Sequence, residues 1–354
     1  MISVIYAIIA LGILIFVHEL GHYLVARMAN VKILTFALGF GKKLFSFRKG
    51  ETEYALCAVP LGGYVKLLGE SPDDEIPEEE IPRSYSHKPP IVRMAIAFSG
   101  PFFNILFAAF LFFVIFASGH SVLSTKVGNI EKGFPADLAG IKLGDIISSI
   151  EGQPIEEWAE LMDIMAKSQL KPMKFGIKRG NEQLYITITP KEVEGKNVFG
   201  ETISRKVIGV VASNQLLQRQ ETLSGAASKA VIQTWNLSEI TVLGMWKLIK
   251  GSISPKNIGG PLLILDAAGK QAKEGKKNFV YFIAIISINL AVVNLLPIPI
   301  LDGGHILFYV IEIVTRRKVP QHAQEVAQKV GLGILIAIMA LAFFNDITRF
   351  FGAK

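Results

Sequence analysis

The sequence predicts a polytopic α-helical membrane protein of about four transmembrane helices. It also predicts a cytoplasmic-side β-hairpin or re-entrant region and an inserted α+β domain. Three observations carry that expectation. The 354 residues are 51% hydrophobic with mean hydropathy +0.42, high for a soluble chain and low for one wholly in membrane. Four apolar runs, roughly 2–28, 91–118, 278–300 and 330–350, are each about long enough to cross a bilayer. Between the second and third, short strand-like runs alternate with Gly-containing turns, as in a small compact domain.

The first run carries the most chemistry. Residues 2–17 hold no charge, and His18-Glu-Leu-Gly-His22 follows without a polar break. No Lys or Arg precedes the run and no small-residue cleavage site precedes His18, so it reads as a retained helix and not a signal peptide. On a helix, residues four apart lie about 40° apart on one face, so His18 and His22 can reach one metal ion. Glu19 stands where a general base would hold and deprotonate an activated water. A carboxylate at membrane depth costs roughly 2.5–3.5 kcal/mol to insert and marks a functional site by default.

The formal charge of +7 does not point to nucleic acid, because its basic residues flank the apolar runs. The expected partner is the lipid bilayer. Lys32, Lys42, Lys43, Arg48, Lys49, Lys66, Arg83, Lys88 and Arg93 follow the first run, and Arg316, Arg317, Lys318 and Lys329 lie between the last two. Both connections are therefore expected in the cytoplasm, with both termini and the long central segment outside. The lone Cys57 excludes an internal disulfide framework and a cysteine-rich metal site.

Residues 33–41 and 53–60 read as strands with a turn at Arg48-Lys-Gly-Glu. Their apolarity fits either a small cytoplasmic sheet or a hairpin dipping toward the membrane. Residues 69–90, with Pro72, Pro77, Pro82, Pro89, Pro90 and an acidic run, read as a solvated linker. Residues 220–255 interleave Trp235, Leu243, Trp246 and Ile249 with Lys229, Glu239, Lys247 and Lys250. That pattern fits an amphipathic helix on the outer membrane surface or one packed on the inserted domain.

A catalytic zinc takes three protein ligands and keeps an open position. The best third donor is Asp302, in Asn294-Leu-Leu-Pro-Ile-Pro-Ile-Leu-Asp-Gly-Gly-His305. Pro297 and Pro299 break helical hydrogen bonding there, and Gly303 and Gly304 loosen the backbone after the carboxylate. His305 is the rival ligand.

The run Gly133-Phe-Pro-Ala-Asp-Leu-Ala-Gly-Ile-Lys-Leu-Gly-Asp resembles a PDZ domain, in a single copy. HELGH in the first helix, this insert and N-x-x-P-x-P-x-L-D-G in the third resemble the site-2 protease family, of the bacterial regulator of sigma-E protease type. The resemblance implies a zinc intramembrane endopeptidase with His18, His22 and Asp302 as Zn2+ ligands and Glu19 as base. It implies substrate contacts at Asn289, Asn294, Pro297 and Pro299. Gly100-Pro-Phe-Phe-Asn104 resembles the family's second-helix motif, which places Asn104 beside them. It further implies single-pass transmembrane substrates, already cut by an upstream site-1 protease, in a bacterial inner membrane. A zinc transporter or metal sensor would also use His and Asp on two helices, but needs neither Glu19 nor the insert.

The chain then divides into a first transmembrane helix (1–28), a membrane-associated β region with an acidic Pro-rich linker (29–90) and a second helix (91–118). An extracytoplasmic PDZ domain (122–212) and an amphipathic segment with linker (213–276) follow. A third helix with the LDG motif (277–305), a cytoplasmic loop (306–329) and a fourth helix (330–351) complete it.

Overall fold

The computed structural model describes residues 2–71 and 74–352, so Pro72 of the linker falls outside them. Nine α-helices are assigned among the described residues. They are α1 (Ile2–Met28), α2 (Pro90–Ala117), α3 (Pro135–Leu138), α4 (Trp158–Lys167), α5 (Leu223–Ile249), α6 (Pro261–Glu274), α7 (Lys276–Asn294), α8 (Asp302–Thr315) and α9 (Gln321–Phe351). Among the described residues, four of these are long and apolar enough to cross a membrane: α1, α2, α7 and α9. The chain forms two compact units, Met1–Ile115 with Ser224–Lys354, and Phe116–Leu223.

In the first unit, Ala7, Ala10, Leu14 and His18 are the buried positions along one side of α1. Their three- and four-residue spacing is one helix face. Ala10 and Leu14 pack with Ile283 of α7, and Phe107 and Leu111 of α2 join them. Small residues at such a face let helices approach closely. Gly21 does the same one turn beyond His18: a Cβ there would lie 2.5 Å from the Ser99 carbonyl oxygen of α2.

Residues 33–67 form two long antiparallel strands, β1 (Ile33–Lys49) and β2 (Thr52–Leu67), longer than the runs read from sequence. Thr35 pairs with both Lys66 and Glu53, so the start of β1 carries partners on two sides. Residues 63–67 pair with β1 alone. Phe36, Val65 and Leu67 sit in one core with Tyr23 and Ala26 of α1 and Ile96 of α2.

The proline-rich linker is ordered where described and not merely solvated. It forms 3-10 turns at Glu78–Arg83 and Tyr85–His87. Lys32 donates to Glu80 at 2.6 Å, and the Tyr85 amide donates to Leu68 O at 2.8 Å. Proline pre-sets φ and lowers the entropy lost on ordering, so a few ion pairs suffice to hold it.

The third apolar run is not one helix to residue 305. It ends at Asn294, and a non-helical link to Leu301 precedes α8. Residues 306–315, expected as cytoplasmic loop, are helical; only 316–320 connect α8 to α9, which begins at Gln321 and not at 330. Pro297 and Pro299 stop the first helix, and Asp302 starts the second in its first turn. Gly303 and Gly304 let that turn fold back on the link: a Cβ on Gly303 would lie 2.3 Å from the Leu296 carbonyl oxygen, and one on Gly304 2.3 Å from that of Ile298.

The second unit has its own core, including Val127, Ile147, Ile150, Leu161, Phe175, Ile177 and Ile188. A four-stranded antiparallel sheet runs in the order 153–154, 146–150, 173–179, 182–188. Glu151 and Gly152 both take positive φ, which makes the tight hairpin between the first two. A Glu157–Glu160 capping box starts α4. The unit reaches past 122–212, because His120–Leu123 pairs with Leu216–Arg219.

Candidate active site

The α1 face that enters the helix core delivers His18, and His22 follows one turn on. The break after α7 delivers Asp302 at the start of α8. His18 Nε2 lies 3.1 Å from Asp302 Oδ2, and His22 Nε2 lies 3.5 Å from Asp302 Oδ1. The two Nε2 atoms are 3.2 Å apart. Zinc–ligand bonds of about 2.0–2.1 Å in a tetrahedron put neighbouring donor atoms roughly 3.3 Å apart, so the three donors span one tetrahedral face. Among the described residues this is the group of His, Cys, Asp and Glu fit to hold a metal. His305 lines the same cavity without joining the group.

The far nitrogens are held as a metal site requires. His22 Nδ1 lies 2.7 Å from the Ile96 carbonyl oxygen, so it carries the proton and Nε2 keeps its lone pair for the metal. His18 Nδ1 faces the Asn104 amide, with Nδ2 at 3.3 Å. Asn104 is fully buried, and among the described residues its Oδ1 has no hydrogen-bond partner. That orphan oxygen is the acceptor His18 Nδ1–H needs once Nε2 binds a metal; a turn of the amide brings it there. The donor set and this orphan atom fit zinc.

Glycines make the room. A Cβ on Gly100 of α2 would lie 2.4 Å from His22 Nε2 and 2.7 Å from His18 Cε1. A Cβ on Gly63 of β2 would lie 2.9 Å from Glu19 Cγ, so that strand closes over the Glu19 side chain. Glu19 and the three donors line one cavity of about 470 Å³.

The substrate-contact candidates separate. Asn294 Nδ2 lies 3.5 Å from His18 Nε2, at the metal-facing side. Asn104 lies behind His18, and Pro297 and Pro299 shape the link. Asn289 accepts from Thr241 Oγ1 of α5 at 2.9 Å and does not line the cavity.

The cavity also holds residues that the sequence did not single out: Glu70, Tyr85, Tyr309, Gln321, Gln324 and Gln328. The Tyr85 and Tyr309 hydroxyls are 2.7 Å apart, and Arg93 lies over the Tyr309 ring while pairing with Glu312 at 2.7 Å. Those contacts span more than 200 residues, and no local pattern announces them. The Gly100 and Gly21 signals were present, as small residues on apolar helices.

These features define a chain with four helices apolar enough to cross a membrane, three donors close enough to hold one metal ion and a carboxylate beside them. The family model of peptidase family M50 matches residues 6–338. The chain therefore belongs to peptidase family M50, the site-2 protease family. A Campylobacter jejuni protein is 38% identical over 351 residues, covering 98% of this chain and 93% of its own. A Helicobacter pylori protein is 38% identical, covering 97% and 98%. One from Clostridium acetobutylicum is 32% identical, covering 98% and 97%. All three are provisionally named zinc metalloproteases. Among solved structures, the PDZ domain of an SdrC-like protein from Listeria innocua matches 26% of this chain and 96% of its own, with 22% identity and TM-score 0.21.

Proposed function

We propose that this chain is a zinc-dependent intramembrane endopeptidase that cuts transmembrane segments of single-pass proteins. The observation that carries the reading is the meeting of His18, His22 and Asp302 in one cavity with Glu19, between helices apolar enough to span a bilayer. When bound, zinc supplies Lewis acidity that makes water a nucleophile near neutral pH. Glu19 takes the water's proton on its carboxylate and returns it to the leaving amine. Gly63 over Glu19 limits where that carboxylate can move. In this reading Asn294, whose Nδ2 lies 3.5 Å from His18 Nε2, holds the scissile carbonyl.

A helical substrate hides that carbonyl in its own hydrogen bonds, so it must unwind locally. Residues 63–67, an edge lining the cavity, offer an unwound segment a strand to pair with. The basic connections argue for 29–90 and 316–320 in the cytoplasm of a bacterial inner membrane, with the N-terminus and the inserted unit outside. The inserted unit, read as a PDZ domain, filters substrates by size, admitting those an upstream protease has trimmed.

The test is cleavage of a transmembrane substrate in proteoliposomes. Wild type should cleave and chelation should stop it. Glu19→Gln should cleave nothing while keeping its zinc. Zinc lost together with activity in Glu19→Gln would overturn the assignment of Glu19 as base.

A further inference from the structure

The first turns of α9 do not match the rest of that helix. Gln321, Gln324 and Gln328 open it, and all three line the cavity of the metal donors. Positions i, i+3 and i+7 share one helix face, so the glutamines form a stripe along the cavity wall, with Glu325 among them. The same cavity is lined by Gly63, Tyr64 and Val65. Those residues belong to an edge, because 63–67 pairs only with β1.

An extended peptide carries N–H and C=O groups along both of its edges. Pairing with β2 satisfies one. Where substrate fills the cleft and excludes water, the other edge needs partners too, since a buried group left unpaired costs about 1–3 kcal/mol. A glutamine amide offers both a donor and an acceptor. Gln324 Nε2 donates to Val319 O and Gln321 Nε2 to Glu325 Oε1, both at 2.9 Å, which leaves their carbonyl oxygens to accept. The Gln328 side chain makes no hydrogen bond among the described residues and is half-buried. A wall that received an intact helix would need apolar contact and no amides.

We propose that Gln321, Gln324 and Gln328 hold the second edge of the unwound substrate, opposite residues 63–67, and so act as substrate-positioning residues. The proposal rests on the protease reading above and names how that site holds its substrate.

The experiment uses full-length protein in proteoliposomes with a transmembrane substrate peptide. The double variant Gln324→Leu/Gln328→Leu should raise KM about tenfold, equivalent to about 1.4 kcal/mol, with kcat within about twofold and zinc content unchanged. The Gln324→Asn/Gln328→Asn double variant, which keeps the amides, should recover part of that loss. In a Glu19→Gln background, a photo-crosslinker at 328 should capture the substrate near its cut site, and one at 322, off the stripe, should not. An unchanged KM in the leucine variant, or equal capture from 322 and 328, overturns the proposal while wild-type cleavage still stands. A zinc-loaded wild type that cleaves no transmembrane substrate overturns the protease reading itself and this proposal with it.

Discussion

Gly100 of α2 stands where any side chain would strike His22: a Cβ would lie 2.4 Å from Nε2, the atom offered to the metal. Real Cβ contacts are essentially never that short, and His22 is anchored from behind by Ile96. Gly100→Ala should therefore cost zinc before it costs the fold. Metal analysis of purified protein should show most of the zinc lost, with the helix content of wild type. Gly12→Ala on α1, where nothing lies within 4 Å, should keep its zinc.

The third donor is tested by a pair of variants. Asp302→Asn removes an oxygen 3.1 Å from His18 Nε2 and should lower zinc affinity more than the roughly 10–100-fold that loss of an outer partner costs. His305→Ala should stay within that range, because His305 lines the cavity outside the donor group. Competition with a chelator of known affinity reads both. The reverse order would make His305 the ligand.

How far the sequence reached depends on the range of each signal. The four helices apolar enough to cross a membrane were legible because about 20 apolar residues in a row need no partner to be recognised. His18 and His22 were legible because four-residue spacing is local geometry. Asp302 was legible as a candidate because it is the one carboxylate in the Pro- and Gly-broken end of the third apolar run. The helical state of 306–315 was lost to the same prolines and glycines, which read as loop although the glycines pack a new helix against its own link. The Gln321–Gln328 wall and the Tyr85–Tyr309 pair were invisible, since they acquire meaning only from a cavity assembled across the whole chain.

Asp145 anchors the inserted unit. It is 1% exposed and accepts two hydrogen bonds from Arg179 and one from the Lys142 amide, each at 2.8 Å. Burial pushes its pKa up, but the Arg179 fork and the amide outweigh burial, so the carboxyl sits below the usual carboxylate range. A depressed pKa means the group stabilises fully above its unfolded value of about 3.9 and loses that contribution as pH falls through the lower folded value. Asp145→Asn should cost about 3 kcal/mol, the low end for breaking a buried pair, because Arg179 is partly exposed. Hydrogen exchange on strands 146–150 and 173–179 should show a constant loss of protection from about pH 5 to 8. The gap from wild type should shrink below about pH 4. A gap that widens in acid would contradict the assignment.

The filter role of the inserted unit can be tested by a deletion that the fold makes practicable. His120 pairs with Arg219 across the strands that close the unit, so its two ends are neighbours and a short linker can replace residues 120–219. Steric exclusion needs only bulk near the entry, whereas recruitment needs a specific contact that deletion removes. With a filter, the deleted protein should cleave a trimmed substrate at close to the wild-type rate. It should also cleave an untrimmed substrate that the intact protein refuses. With recruitment, cleavage of the trimmed substrate should fall at least about tenfold, the loss expected from about 1.4 kcal/mol of binding. Zinc content and the helix signal distinguish that outcome from misfolding. A deleted protein that keeps both yet leaves the trimmed substrate intact would show that the unit delivers substrate and does not sort it.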